Sequence, residues 1–263
     1  MKKLLKAILK CYIVFLPKNR LSVLGRFNLL AICGKVLLPQ YRFKWPQMVW
    51  WSDEAFNAYL QRFNEQQGFN TDRRWNQLQL MRLVESVPGD TVECGCYRGA
   101  SSFLFCQANK ANARFQRMHH IFDSCEGLSE PVASVDGTYW KKHSLTSSED
   151  EVNANLAEYT GWYTLYKGWI PEKFPAVADK RFAFVHIDVD IYEPTRDSIA
   201  FFYSRMEPGA ILLCDDYGFM SCPGATRACD EFLADKPEKM IFLASGGGYF
   251  IKGLAVAPYN GQQ

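Results

Sequence analysis

The first part of this 263-residue chain lacks acidic residues altogether, since neither Asp nor Glu occurs between Met1 and Trp51. Ten of the chain's 30 Lys and Arg residues lie in that segment, whereas all 28 acidic residues follow it. A basic arm on an acidic body indicates a negatively charged partner, either a membrane or a nucleic acid. Because basic and aromatic residues alternate in no more than a short run at 41–45, we do not expect nucleic-acid binding.

The cysteine spacing disfavours both a zinc site and a disulfide framework. Nine cysteines are scattered along the chain without a single C-x-x-C pair, and several of them lie inside apolar runs. An odd number of core-like cysteines is typical of a protein in a reducing compartment. We therefore expect a cytoplasmic protein.

No hydrophobic run is long enough to span a membrane, and Lys6 and Lys10 interrupt the apolar core that a signal peptide would need. On a helix, Lys3, Lys6 and Lys10 would share one face opposite an apolar one, as in a helix that lies in a membrane interface. The alternative is a helix packed on the protein itself or on a second subunit. We expect residues 1–70 to form a basic helical extension that serves as membrane contact, lid or dimer contact. Within it, residues 1–44 would touch the inner face of the membrane peripherally, and the protein would form a homo-oligomer.

Residues 71–263 read as one α/β domain. Apolar segments of strand length are found at 91–94, 118–123, 162–166, 182–188, 210–215, 239–243 and 248–252. Segments of helical character are found at 73–87, 100–113, 152–159, 193–206 and 224–234. This alternation predicts a mostly parallel sheet of seven strands with helices on both faces, and the last two strands are close enough to pair antiparallel. In the first helix, Leu78, Met81, Leu83 and Val84 recur at helical spacing and are the predicted buried face.

Two of the predicted strands end abruptly in carboxylates. Asp188 and Asp190 follow the apolar run that starts at residue 182, and Asp215 and Asp216 follow the next one. Ligands collect at the carboxyl ends of strands in an open α/β sheet. Four carboxylates so close together repel one another at pH 7 unless a proton or cation intervenes, and hard oxygen ligands suit Mg²⁺. The pattern predicts a metal site in an enzyme.

The turn after the first strand has the character of a ligand-binding loop. It contains Glu93, Gly95 and Gly99, but it is not the G-x-G-x-x-G fingerprint of dinucleotide binding. An acid before the first glycine suits a cationic amine, and Asp123 at the end of the second strand lies where a ribose diol is held. The alternatives are that the glycine turn merely connects two elements and that Asp123 merely caps a helix. Together these residues favour a nucleoside with an amino-acid tail, which describes S-adenosylmethionine.

His186 allows two interpretations. By strand alternation it should point the same way as Asp188, where it could act as a base or contact the substrate. The alternative is a hydrogen-bonded core histidine, because histidine is often partly buried.

Six segments in order resemble the macrocin O-methyltransferase family. They are VPGDTVECG (87–95), FDSCEGL (122–128), YKGW (166–169), HIDVDIYE (186–193), DDY (215–217) and PGA (223–225). The resemblance covers about residues 71–252. It implies a Rossmann-like class I methyltransferase fold and an enzyme that methylates sugar hydroxyls, as the family does on macrolide and aminocoumarin antibiotics, with S-adenosylmethionine and Mg²⁺.

The resemblance also implies roles for individual residues. The cofactor-binding residues would be Glu93, Gly95, Asp123, Ser124, Gly168 and Trp169. The metal ligands would be Asp188, Asp215 and Asp216, with Asp188 also the candidate general base. Val189 departs from the family, which usually has glycine there, and Asp190 is either a support for the metal ligands or a helix cap. The substrate would be a small-molecule or lipid-linked sugar.

Three other functions are compatible with the same sequence. One is the same chemistry on a catechol-like phenol. Another is a nicotinamide-dependent oxidoreductase on a doubly wound sheet, which the missing glycine fingerprint disfavours. The last is a non-catalytic, membrane-attached scaffold, since fold alone does not fix function. The intact set of acids argues against the scaffold.

Overall fold

The chain divides into two compact units, residues 1–66 and 67–263. A computed structural model of the protein describes residues 20–37, 48–65 and 70–259. In the first unit these include helix α1 (Arg20–Leu37), a 3-10 turn (Val49–Ser52) and helix α2 (Glu54–Arg62). Residues 1–19 and 38–47 lie outside the described part, so the membrane contact predicted for residues 1–44 stays a prediction. Among the residues described, no helix combines the length and the apolar character needed to cross a bilayer.

A single seven-stranded sheet organises the second unit. Its strands are β1 (Asp90–Cys94), β2 (His119–Asp123), β3 (Tyr163–Lys167), β4 (Phe182–Ile187), β5 (Met206–Cys214), β6 (Ile241–Phe242) and β7 (Gly248–Ile251). They lie in the order β3-β2-β1-β4-β5-β7-β6. The first five strands are parallel, whereas β7 is antiparallel to both β5 and β6. The predicted sheet and its antiparallel end are confirmed.

Helices precede the sheet or lie between its strands. They are α3 (Thr71–Leu83), α4 (Ala100–Ala111), α5 (Ala133–Asp136), α6 (Glu149–Asn155), α7 (Tyr192–Tyr203) and α8 (Pro223–Leu233), with 3-10 turns at Ala157–Tyr159 and Phe174–Val177. Several predicted boundaries differ by a few residues, among them that of the helix predicted at 73–87, which ends at Leu83. The helix predicted at 152–159 ends at Asn155 and gives way to a 3-10 turn, and Met206, predicted as the end of a helix, begins β5.

Apolar side chains cover both faces of the sheet. In β5, Leu212 and Cys214 belong to a cluster that includes residues of α7 and α8, such as Phe202. The alternate residues Ile211 and Leu213 pack in a second cluster with residues of α3 and α4. Strands buried on both faces read as continuous apolar runs, which explains the uncharged, buried segments 182–185 of β4 and 210–214 of β5.

Helix α3 buries only part of the predicted face, since Met81 and the following Val84 are buried as predicted. Leu83 was expected inside but is 59% exposed, and Leu78 is only partly buried. The buried residues are Arg74, Gln77, Leu80 and Met81. Arg74 donates a hydrogen bond to the Ser101 hydroxyl (2.5 Å), and Gln77 contacts His186 (3.2 Å). Hydrogen bonds to buried partners offset the cost of burying these polar side chains. A pattern of apolar spacing cannot predict such partners.

The same Leu→Ala substitution at two positions of helix α3 tests which face of the helix is buried. Leu80→Ala should lower the free energy of unfolding by about 2–5 kcal/mol, because it removes a side chain that is 6% exposed. Leu83→Ala should change it by no more than about 0.5 kcal/mol. Urea denaturation monitored by circular dichroism measures both values. Equal losses for the two variants would contradict the orientation of α3.

Candidate functional site

The parallel hydrogen-bond ladder runs one residue past the ends of the strands. Each amide in this row donates to a carbonyl of the neighbouring strand: Gly168 to Asp123 (2.9 Å), Gly95 to Phe122 (2.8 Å), Asp188 to Cys94 (2.9 Å) and Asp215 to Ile187 (2.8 Å). The row crosses the boundary between β1 and β4, where the strand order reverses and where open α/β sheets bind ligands. The candidate site therefore occupies one continuous edge.

Gly95 lets the segments after β1 and β4 come into contact. Its φ is +81°, and a Cβ at this position would lie 1.9 Å from the carbonyl oxygen of Asp188. No side chain fits in that space. The Cγ1 atom of Val189, the residue that departs from the family pattern, would lie 3.1 Å from the same Cβ. The predicted cofactor turn and the predicted metal site are thus direct neighbours.

Asp123 holds the glycine turn in place. Its Oδ2 accepts hydrogen bonds from the amides of Cys96 (2.8 Å) and Tyr97 (3.1 Å), and its Oδ1 accepts one from Cys125 (2.7 Å). No helix begins at Asp123, so it does not cap one. Ser124 donates through its hydroxyl to the carbonyl of Gly127 (2.9 Å) and closes the turn after β2. The partly exposed Asp123 keeps oxygen lone pairs for a ligand.

Gly168 and Trp169 follow β3 and lie next to the end of β2. The amide of Gly168 donates to the carbonyl of Asp123, and Trp169 is partly buried. The structure therefore places five of the six predicted cofactor residues at the turns after β1, β2 and β3. Their contacts with a cofactor stay predictions.

Glu93 is placed differently, within β1 and 1% exposed. Its Oε1 lies 2.9 Å from Nδ1 of His186, and its Oε2 accepts a hydrogen bond from the Ser102 hydroxyl. Burial alone would raise the pKa of Glu93, but its contacts with His119 and His186 lower it to about 2. Glu93 is thus an anionic anchor inside the sheet, and its predicted contact with the methionine part of the cofactor stays a prediction.

His186 is fully buried between the two predicted sites. Its Nδ1 contacts Glu93, and its Nε2 lies 3.9 Å from Oδ1 of Asp215. Burial lowers the pKa of His186, but these two carboxylates outweigh burial and raise it to about 10. The structure agrees with the hydrogen-bonded core histidine of the two interpretations, in the form of an imidazolium that bridges β1 and β5.

The predicted metal ligands fall into two groups. Potential ligand atoms of His186, Asp188 and Asp215 lie within 4.8 Å of one another, and so do those of Asp190, Asp216 and Cys222. The structure therefore brings Asp188 and Asp215 together but groups Asp216 with Asp190, whose amide donates to Asp216 Oδ2 (2.8 Å). A positive φ of 62° at Asp190 accompanies this contact. Asp190 supports Asp216 and is not the residue that caps α7, which is Ile191.

The positively charged side chains near this cluster of aspartates do not neutralise all of its carboxylates. Burial, with Asp215 and Asp216 nearby, raises the pKa of Asp188 well above its usual range. Burial and Asp188 raise the pKa of Asp190 to about 7, and burial and Asp190 raise that of Asp216. Such raised values report carboxylates that lack a positive partner. The oxygen-rich donor set, with Asp188 partly exposed, fits a hard divalent cation.

Arg73 on α3 is the residue that the sequence analysis missed. It donates to the side chain of Asp215 and to its carbonyl oxygen (3.1 Å). Burial would raise the pKa of Asp215, but Arg73 and His186 hold it well below the usual range. The sequence carries a signal for the neighbours of Arg73, because Arg74 and Gln77 continue the spacing of Leu80 and Met81 back to the start of α3. Polar residues in register with a buried face indicate buried partners.

A model of the family described as macrocin O-methyltransferase (TylF) matches residues 69–241 of the chain. A tetracenomycin-C 4'-O-methyltransferase from Streptomyces olivaceus, whose substrate name specifies a dimethoxy-rhamnosyl group, is 31% identical over 154 residues, which are 55% of this chain and 59% of the relative. Demethyldecarbamoylnovobiocin O-methyltransferase from Streptomyces niveus is 29% identical over 181 residues, or 64% of this chain and 68% of the relative. The chain thus spans about three fifths of the first relative's length.

Two solved structures resemble the fold. The O-methyltransferase NovP superposes with a TM-score of 0.62 at 28% identity, over 69% of this chain and 80% of that one. The calicheamicin methyltransferase CalS11 superposes with a TM-score of 0.64 at 18% identity, over 86% of this chain and 92% of that one, and shows the fold alone.

Contact between Gly95 and the segment after β4 can be tested against a matched glycine. Gly95→Ala and Gly161→Ala both place alanine at a positive φ (+81° and +87°), but nothing lies within 4 Å of a Cβ at Gly161. Thermal unfolding should show a larger loss of stability for Gly95→Ala, because only that Cβ collides with the Asp188 carbonyl. Equal losses would mean that the two segments can separate freely.

Proposed function

This chain belongs to the macrocin O-methyltransferase family, and from that premise we propose that it transfers a methyl group from S-adenosylmethionine to a hydroxyl of a sugar or glycoconjugate, with Mg²⁺ as the assisting ion. The observation that carries the proposal is the contact of the glycine turn with Asp188, because a Cβ on Gly95 would lie 1.9 Å from the Asp188 carbonyl oxygen. A donor held at the turn and a hydroxyl held at the acids would meet at that contact.

Positioning is the first contribution of the chain's own residues. Methyl transfer is an in-line displacement, and holding the two reactants roughly 3–3.5 Å apart can supply several kcal/mol of the barrier. Asp123, through the amides of Cys96 and Tyr97, fixes the turn that would hold the donor. Gly168 and Trp169 would bound the same ligand on the far side, with Ser124 between them and Asp123.

Proton removal is the second contribution. A hydroxyl is a poor nucleophile until it loses its proton, and a bound Mg²⁺ supplies Lewis acidity that lowers the hydroxyl's pKa. Asp188 would accept the proton on a carboxylate oxygen, and burial with the neighbouring carboxylates raises its pKa, which strengthens it as a proton acceptor. Asp188 and Asp215 would hold the ion, with Asp216 as the third ligand that the family implies.

A sugar hydroxyl is the proposed acceptor because of what the relatives' names state. One name specifies a rhamnosyl tetracenomycin and its 4' oxygen, and another, from Micromonospora griseorubida, specifies the 3'' oxygen of mycinamicin III. The segment before residue 69, which the family model does not match, carries the excess of basic residues. A lipid-linked sugar at an anionic membrane surface would be attracted to such a segment.

Calorimetry separates this proposal from the oxidoreductase. S-adenosylhomocysteine, the demethylated product of the cofactor, should bind the full-length protein, and NAD should not, because the turn after β1 lacks the dinucleotide fingerprint. Binding of NAD without S-adenosylhomocysteine would contradict the proposed reaction class.

Glycan mass spectrometry tests the reaction whichever saccharide is the acceptor. Cells that lack the protein should lose one CH₂ increment from a saccharide, and the wild-type chain should restore it. Asp188→Asn and Asp215→Asn should lower this restored methylation by about 100-fold or more, because base and ion site are lost.

The matched control is Asp179→Asn, whose carboxylate is 77% exposed and pairs with Lys180 (3.6 Å). It should restore methylation as the wild type does. Analysis of soluble and membrane fractions separates a free from a lipid-linked acceptor. Full restoration by Asp188→Asn would contradict the roles given to Asp188.

A further inference from the structure

Arg73 occupies the carboxylate that the divalent cation would need. Its guanidinium donates to the Asp215 side chain and, at 3.1 Å, to the Asp215 carbonyl. The side chains are buried, with 14% of Arg73 and 3% of Asp215 exposed. Water therefore screens this ion pair less than it screens a surface pair. Asp215 is thus the one acid of the cluster that already has a strong positive partner.

An ion held between Asp188 and Asp215 would face that guanidinium at short range. Potential ligand atoms of the two aspartates lie within 4.8 Å of each other, and Arg73 donates directly to Oδ2 of the Asp215 carboxylate. Two positive groups on a single carboxylate repel, and burial strengthens the repulsion relative to bulk water. Cation binding and the Arg73–Asp215 contact therefore oppose each other.

Arg73 also has partners that do not depend on the Asp215 carboxylate. Its Nη1 donates to Oδ1 of Asn70 (3.1 Å), and its guanidinium lies over the ring of Phe219 at 5.1 Å. The Nε–H has no hydrogen-bond partner among residues 20–37, 48–65 and 70–259. The guanidinium thus has one N–H without a partner and two partners besides the Asp215 carboxylate. It is held at that carboxylate less firmly than a fully satisfied guanidinium would be.

We propose that Arg73 is a positioning residue that competes with the divalent cation for Asp215 and so sets the affinity of the metal site. This inference rests on the proposed function, because it presupposes a cation at Asp188 and Asp215. Arg73 keeps the Asp215 carboxylate aligned and compensates its negative charge when the cation is scarce. It also limits binding to cation concentrations high enough to displace it.

The test is calorimetric titration of Mg²⁺ and of Mn²⁺ into the full-length protein. Arg73→Met and Arg73→Gln remove the charge, the second with a hydrogen-bond donor retained, and each should lower the dissociation constant about tenfold or more. Arg73→Lys keeps the charge and should stay near wild type. Arg82→Met is the matched control, since the exposed Arg82 lies on the same helix and donates to Oε1 of Gln79 (2.8 Å).

Thermal unfolding gives a second measure if one variant folds poorly. Without cation, Arg73→Gln should unfold at a lower temperature than wild type, because the buried Asp215 loses its shortest ion pair and keeps only the more distant Arg74 and His186, each at 3.9 Å. Saturating Mn²⁺ should raise its unfolding temperature by more than it raises that of wild type or Arg82→Met.

Each result has a separate meaning. Wild-type binding with equal or weaker binding by both neutral variants overturns the competition but leaves the proposed function intact. Failure of every form to bind either cation overturns the competition together with the metal half of the proposed function. Binding by the neutral variants alone supports the competition in its strongest form.

Discussion

Four carboxylates at the ends of two neighbouring strands constrain much of what surrounds them. Asp188, Asp190, Asp215 and Asp216 are forced together by parallel pairing of β4 with β5, and mutual repulsion opposes that pairing. Positive groups reduce the repulsion, among them Arg73 and Arg74 from α3 and His186 between Asp215 and Glu93. The need to offset this repulsion accounts for two features that apolar packing alone would disfavour. One is the polar start of the buried face of α3, and the other is the buried Glu93 inside β1.

The edge where these groups meet could be predicted from the sequence, because it follows from local patterns and one general rule. Apolar runs that end in carboxylates mark the strand ends, and parallel order collects strand ends on one side. Asp188 and Asp215 accordingly lie together, and Gly95 lies against Asp188. The partners that stabilise them could not be predicted in this way. Arg73 lies 142 positions from Asp215, and His186 lies 93 from Glu93, distances at which sequence periodicity carries no information.

A sequence pattern also cannot predict the direction of side chains beyond the end of a strand. Alternation fixes which way a side chain points only while the backbone stays extended. At Asp190 the backbone turns to a φ of +62°, and the Asp190 amide donates a hydrogen bond to Asp216 Oδ2. This contact groups Asp216 with Asp190 and not with Asp188 and Asp215. Asp123 shows the same limit. Its position at the end of β2 was predictable, whereas its three hydrogen bonds to the turns after β1 and β2 depend on how those turns fold.

The central claim is that this carboxylate edge binds a divalent cation beside the turn that holds the methyl donor. Anomalous scattering from crystals grown with Mn²⁺ and S-adenosylhomocysteine tests it most directly. The account predicts a manganese peak about 2.0–2.2 Å from carboxylate oxygens of Asp188 and Asp215, with the nucleoside against Gly95 and Asp123. A crystal with the nucleoside at that turn and no manganese at these two aspartates would contradict it.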